Sequence, residues 1–287
     1  MALLTVALIY GINYSVAKDV MPDYVQPRGF ILIRALGATV LFHAVALFYP
    51  AQKIAPKHYW RLALAGFFGV AANQLLFFEG LNITTPINAS VIMTTNPIIV
   101  LVLSAVFLKV PIKPLRIVGI ALGLIGALFL IARGKDLSAI LEGGKSLGNL
   151  LVLLNAASYG AYLIVVKPLM RDYKAITVIK WVFTLGLIYV VPFGWEQLMA
   201  VNWAVLPVKI SLEIAFVVLA TTFLAYLLNI YALRLVSSTT VSYYIYLQPI
   251  FATATAIAFG KDQLTWIALT AAAFIFSGVY LVSFKRQ

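Results

Sequence analysis

Tyr10-Gly11-Ile12-Asn13-Tyr14-Ser15-Val16-Ala17-Lys18 has a counterpart half a chain away in Tyr159-Gly160-Ala161-Tyr162-Leu163-Ile164-Val165-Val166-Lys167. In both, a Tyr-Gly pair is followed by a lysine eight residues after the tyrosine. The correspondence continues at an offset of 152, where Asn96-Pro97 answers to Gln248-Pro249, Lys109 to Lys261 and Gly126 to Gly278. Between these markers the chain is almost wholly apolar, in runs long enough to cross a bilayer, which takes roughly 20 residues as a helix. The runs fall near 2–20, 29–49, 60–81, 87–108, 114–132, 148–166, 175–193, 211–233, 239–260 and 264–284. Five runs per copy is an odd number, so the second copy enters the membrane upside down relative to the first. The expected fold is an all-α membrane protein of ten transmembrane helices, built as two inverted five-helix repeats. Such repeats around a central site are the plan of secondary transporters. The expected units are 1–132, a linker at 133–147 with Gly134, Gly143 and Gly144, and 148–287.

Composition agrees. Of the 287 residues 63% are hydrophobic and 10% charged, with a mean hydropathy of +1.01, against about half apolar and a quarter charged in soluble domains. Runs such as Ile98-Ile99-Val100-Leu101-Val102-Leu103 lack the period-two alternation of a membrane barrel. The first run has no basic leader and no small-residue cleavage site before Lys18-Asp19, so it reads as a permanent span rather than a signal peptide. With the N-terminus inside, thirteen Lys and Arg fall on the cytoplasmic side and seven on the other, Arg34 excluded as lying just within the second run. That excess predicts both termini in the cytoplasm. It also assigns the net charge of +12 to topology and lipid headgroups rather than to nucleic acid. Trp195 and Trp203 are expected in a lipid-surface turn over 194–210.

Catalytic signatures are missing. There is no cysteine, and His43 and His58 stand apart from each other and from any paired carboxylates. Glu142-Gly143-Gly144-Lys145-Ser146 resembles the end of a phosphate-binding loop, but Ala139 stands where that pattern needs glycine, and no strand precedes it. Neither an enzyme nor a cofactor is implied, and no metal site.

What remains is a set of polar and aromatic residues near mid-depth. Tyr10, Asn13 and Tyr14 share a face of the first span, and Asn155, Tyr159 and Tyr162 recur at i, i+4 and i+7 in the sixth. Asn73 and Gln74 lie about twelve residues, or roughly 18 Å, into the third span, with Phe78 beyond. Ser90, Thr94 and Pro97 form a stripe on the fourth, while Tyr243, Tyr244, Tyr246 and Gln248 line the start of the ninth. Amides in hydrocarbon must find partners, and taken singly each residue reads as interhelical glue. Taken as a set, Tyr10, Asn13, Tyr14, Asn73, Gln74, Phe78, Asn96, Asn155, Tyr159, Tyr162, Tyr243, Tyr246 and Gln248 predict a lined cavity. Pro97 and Pro249, each preceded by a side-chain amide, predict paired breaks in the fourth and ninth helices. Glu79 is the carboxylate well inside the span limits and is the candidate for ion coupling, although it lies near the outer end. Gly119, Gly123 and Gly126, with Ala271 and Gly278 as counterparts of the first and last, predict close helix contact, either within the chain or in a weak homodimer.

Tyr10-Gly11, Asn13-Tyr14 and Lys18 resemble the first-helix motif of EamA-type proteins of the drug/metabolite transporter superfamily, where Trp-Gly is usual and Tyr10 departs. Arg34, Gly80-Leu81 followed by small and hydroxyl residues to Pro97, and the end of the tenth span are similar to that family as well. The acid usual after the ninth span is kept as Asp262, whereas Val110 stands in its place after the fourth. The resemblance implies a ten-helix inner-membrane carrier, an exporter of amino acids or related metabolites working by alternating access. A phosphorylated sugar would call for several cations at mid-depth, and none is expected there. A nucleotide-sugar or sugar-phosphate carrier is therefore the alternative, with a receptor or channel behind it. The expected partners are a small-molecule substrate and membrane lipid.

Overall fold

The computed structural model describes residues 1–84, 89, 92–132, 146–258 and 265–283; among them every regular element is helical and no strand occurs. Residues 133–145 of the expected 133–147 linker and the positions of Ser90, Lys261 and Asp262 lie outside the described residues, as do the side chains of Tyr14 and Ser15; 146 and 147 already belong to a helix.

The helices follow the apolar runs, with ends set by local chemistry. After α1 (Ala2–Val20), Pro27 occupies the first turn of α2 (Pro27–Ala46), where its missing N–H costs nothing. The third helix, α3 (Pro56–Ile83), is continuous but passes through a π-helical segment at Phe67–Ala71. The next helix, α4 (Asn96–Leu108), ends at Lys109, whose left-handed backbone (φ 52°) closes it. Pro114 opens α5 (Pro114–Ala132). In the second half α6 is Ser146–Val166 and α7 is Ala175–Met199. The eighth, α8 (Val208–Leu235), carries its own π-helical segment at Val217–Leu224. Ser237 caps the start of α9 (238–258) by accepting from the Thr240 N–H at 3.1 Å. A 3₁₀ turn at Tyr244–Leu247 interrupts that helix before Gln248–Ala258. Last comes α10 (Trp266–Ser283).

Five of these helices, namely α2, α3, the one opening at Ser146, α7 and α8, are long and apolar enough to cross a bilayer among the described residues. Two expectations shift. The seventh run continues to Met199 through Pro192, so Trp195 sits on a helix rather than in a surface turn. Pro97 begins α4 instead of bending its interior, because the chain turns at Thr94-Thr95 and the helix restarts at Asn96.

Packing comes in matched sets. α1 lies against α8 and α9, and α6 against α3 and α4; α2 packs on α7, and α5 on α10. Renaming α1–α5 as α6–α10, and the reverse, leaves these pairings unchanged. Small residues permit the close packing: a Cβ on Gly66 would stand 2.8 Å from the Gly186 nitrogen. The glycine stripe of α5 is used within the chain, since a Cβ on Gly126 would stand 2.8 Å from the Ala271 carbonyl of α10. Each marker lysine closes a helix of its own half. Lys18 Nζ donates to the Asn82 carbonyl at 3.3 Å, at the end of α3. Lys167 Nζ donates to the Leu233 and Val236 carbonyls at the end of α8, the latter at 2.6 Å. A cation there satisfies carbonyls that the helix leaves open and meets the negative end of its dipole.

Candidate functional site

Both halves wall a central cavity, whose empty space is about 600 Å³ with its opening to solvent included. α1 supplies Tyr10 and Asn13, α2 supplies Arg34, and α3 supplies Asn73, Gln74, Phe77 and Phe78. From the second half come Asn155 and Tyr159 on α6, Thr221 and Tyr226 on α8, and Ile245 and Gln248 on α9, with Met93 closing the ring ahead of α4. A smaller cavity of about 220 Å³ lies toward the N-terminal end of α1, beside Leu3, Val6 and Ala7. The two share Tyr10, Tyr159, Ile245 and Gln248, which form the partition between them.

The π-helical segments explain how polar groups are held here. A π turn pushes backbone carbonyls off the regular ladder, leaving them to other donors. In α3 the Phe68 carbonyl accepts from Ser158 Oγ at 2.8 Å, and the Gly69 carbonyl accepts from the Tyr226 hydroxyl at 2.8 Å. In α8 Thr222 Oγ1 donates to the Val217 carbonyl at 2.8 Å and accepts from Arg34 Nε at 2.9 Å. Asn155 Nδ2 donates to the Asn73 carbonyl at 2.6 Å. A carbonyl can only accept, so this bond fixes the amide's orientation and leaves Asn155 Oδ1 as the free acceptor. Several buried polar atoms of the wall have no protein partner: Asn13 Oδ1, Arg34 Nη1, Asn155 Oδ1 and Thr221 Oγ1. Buried polar atoms are nearly always paired. A cluster of unpaired ones around one cavity is what a ligand site leaves open.

Of the residues read from sequence, Tyr10, Asn13, Asn73, Gln74, Phe78, Asn155, Tyr159 and Gln248 lie on the cavity wall. Others are placed elsewhere. Asn96 Nδ2 donates to the Ala156 carbonyl at 2.6 Å and ties α4 to α6. Tyr162 lies behind the wall, its ring 6.1 Å from that of Tyr159 and 6.4 Å from that of Tyr226. Tyr243 donates to the Gly119 carbonyl at 2.7 Å, and Tyr246 stacks edge-on against it at 4.9 Å, so both belong to the contact of α9 with α5. Glu79 pairs with Arg28 at 2.5 Å, away from the cavity. Pro97 and Pro249 stand where α4 and the last segment of α9 restart.

One expectation is revised. No cation was expected among the mid-depth polar residues, yet Arg34 joins them on the cavity wall. It is 3% exposed on the cavity wall, its guanidinium 4.3 Å from the centre of the Phe78 ring. The signal was available, because a charge inside an apolar run is a site candidate on energetic grounds alone. Tyr226 was also missed, although the 152-residue offset makes it the counterpart of Gln74. No Asp, Glu or His lines either cavity among the described residues, nor does any cluster of such groups suited to a metal occur there.

The EamA-like transporter family matches residues 1–132 and 146–284. The chain belongs to that family and is an integral membrane protein. It is similar to an uncharacterized transporter of Archaeoglobus fulgidus, 25% identical over 79% of this chain and 76% of the relative. It is also similar to the uncharacterized transporter YyaM of Bacillus subtilis, 24% identical over 78% of this chain and 74% of that one. A protein of known crystal structure shares the fold, with a TM-score of 0.76 over 98% of this chain and 95% of that one, at 16% identity.

Proposed function

We propose that this protein is a secondary transporter of small metabolites such as amino acids, exporting them by alternating access between two inverted five-helix repeats, 1–132 and 148–287. The observation that carries the reading is the cavity itself. It lies between the halves and is lined by residues whose buried polar atoms the protein does not use. The matched pairing of helices supports the repeat relation, and the residues shared by the two cavities supply a partition that a rocking motion could move. In this reading both termini face the cytoplasm of a bacterial inner membrane, and one chain, or a weak dimer, is the working unit.

Transport is by exchange or down the solute's own gradient. Among the described residues the cavity wall offers no carboxylate or histidine to relay a proton, and Glu79 is held by Arg28. A sugar-phosphate or nucleotide-sugar substrate fits less well, because Arg34 is the one cation on the wall among the described residues.

The test is counterflow into proteoliposomes of the full chain, using a panel of amino acids, amines and nucleotide sugars at equal pH and then with an imposed proton gradient. Counterflow of an amino acid at equal pH is expected. Asn73→Ala and Tyr159→Ala should weaken it, by about 1–3 kcal/mol of lost polar contact for Asn73. Failure of every solute to move sinks the reading. Wild-type transport by both variants sinks the site. Uptake that appears only with the gradient, and disappears in Glu79→Gln, makes Glu79 the coupling residue.

A further inference from the structure

Arg34 is the one feature of the cavity that a neutral site does not need. A guanidinium stays protonated at any accessible pH, and burying one without a counter-charge is costly. Yet no carboxylate pairs with Arg34 among the described residues. Its Nε is taken by Thr222 Oγ1 at 2.9 Å, its face lies over Phe78 at 4.3 Å, and Nη1 is buried without a protein partner, in a residue that lines the cavity. The hydrogen bond and the ring anchor and orient the group without neutralising it. Across the wall the pattern is opposite: Asn155 Oδ1, its amide locked by the bond to the Asn73 carbonyl, is an acceptor without a donor.

We propose that Arg34 is the carboxylate-binding residue of this cavity, so that the transported solute carries a single carboxylate, with a donor group such as an ammonium directed to Asn155. The inference rests on the transport reading above and narrows its substrate class. A carboxylate brings one negative charge and two in-plane oxygens to a guanidinium edge, the pairing for which that group is shaped. A phosphate monoester would bring close to two charges to a single cation. An amine without an acid would leave Arg34 unpaired.

The experiment compares each L-amino acid that wild-type proteoliposomes exchange with its primary amide. The amide keeps the size, the side chain and the ammonium but removes the anionic charge. The amide should compete roughly tenfold to a hundredfold more weakly than the acid, the range expected for a hydrogen bond to a charged group. Arg34→Gln should lower acid transport toward the level of the amide, and Arg34→Lys should keep part of it. The comparison in the wild-type protein decides the matter even if the variants fold poorly. Equal competition by acid and amide overturns the proposal and leaves transport standing, as does exchange confined to solutes lacking a carboxylate. No exchange of any panel solute overturns the transport reading itself, and this proposal with it.

Discussion

Helices α2 and α7 pack against each other and align at the 149-residue offset that relates Tyr10 to Tyr159 and Gly37 to Gly186. That offset aligns Arg34 of α2 with Phe183 of α7. Both side chains are almost fully buried, but their surroundings differ. Arg34 meets a threonine hydroxyl, the face of Phe78 and the cavity. Phe183 meets the rings of Phe42 at 4.9 Å and Tyr226 at 5.0 Å. The same position in two related helices thus gives a charged pole in one half and part of the aromatic core in the other. Matching backbones fix where a cavity can form, and an unmatched residue gives that cavity a direction.

The hardest test of this contrast is to move the charge. Phe183→Arg places a guanidinium between the rings of Phe42 and Tyr226 in the core, so it should destabilise the fold by about 3–5 kcal/mol, as for a buried charge left unpaired. A lowered melting temperature of the purified protein in detergent checks it. If Phe183→Arg is as stable as wild type, the two environments are not as different as the geometry says.

The two Tyr-Gly pairs offer a second contrast. A Cβ on Gly11 would stand 2.9 Å from the Gln248 carbonyl, a backbone atom that cannot easily yield. On Gly160 it would stand 3.3 Å from the branched ends of Ile99, Leu103 and Val100, which can shift. Gly11→Ala should therefore cost about 1–3 kcal/mol, as overpacking does, and Gly160→Ala should cost clearly less. Comparing the two melting temperatures checks the order, and a reversal contradicts the packing described.

A smaller effect is expected at the seam between halves. Tyr226→Phe removes the donor to the Gly69 carbonyl in the π-helical segment of α3, at a cost of about 1–2 kcal/mol, again read as a melting shift. A stability unchanged by Tyr226→Phe would mean that this hydrogen bond does not hold the segment. Smallest of all is Glu79→Gln. The Arg28–Glu79 pair is partly exposed, and such pairs contribute about 0–1 kcal/mol. Stability and equal-pH counterflow should both remain near wild type; a tenfold loss of counterflow would place Glu79 in the transport cycle after all.

The helical membrane class was legible because apolar length is a property of the chain alone. The marker lysines were legible as a repeat, but not as the groups that close α3 and α8, since their carbonyl partners lie far along the chain. The reading failed for Tyr243 and Tyr246 for a geometric reason. They were placed on the cavity by treating 239–260 as one helix, yet Tyr244–Leu247 is a 3₁₀ turn. Such a turn advances about 120° per residue against about 100° in an α-helix, so four residues rotate the face by roughly 80°. The π-helical segments of α3 and α8 shift faces in the opposite sense, because their wider turn advances less per residue than an α-helix. Arg34 was discounted because its depth was judged from an estimated span edge; the helix begins at Pro27, which carries residue 34 about two turns inside.

By itself the sequence determined that this chain is helical and membrane-embedded, with spacings that recur half a chain apart. Apolar length, alternation and spacing are local or periodic quantities that do not depend on what packs against what. Only the tertiary structure decided which of the buried polar residues face one another across a cavity and which merely tie helices together. That choice turns on helix phase and on carbonyls freed by irregular turns. It also turns on whether a buried charge meets a counter-charge, and Arg34 meets none among the described residues.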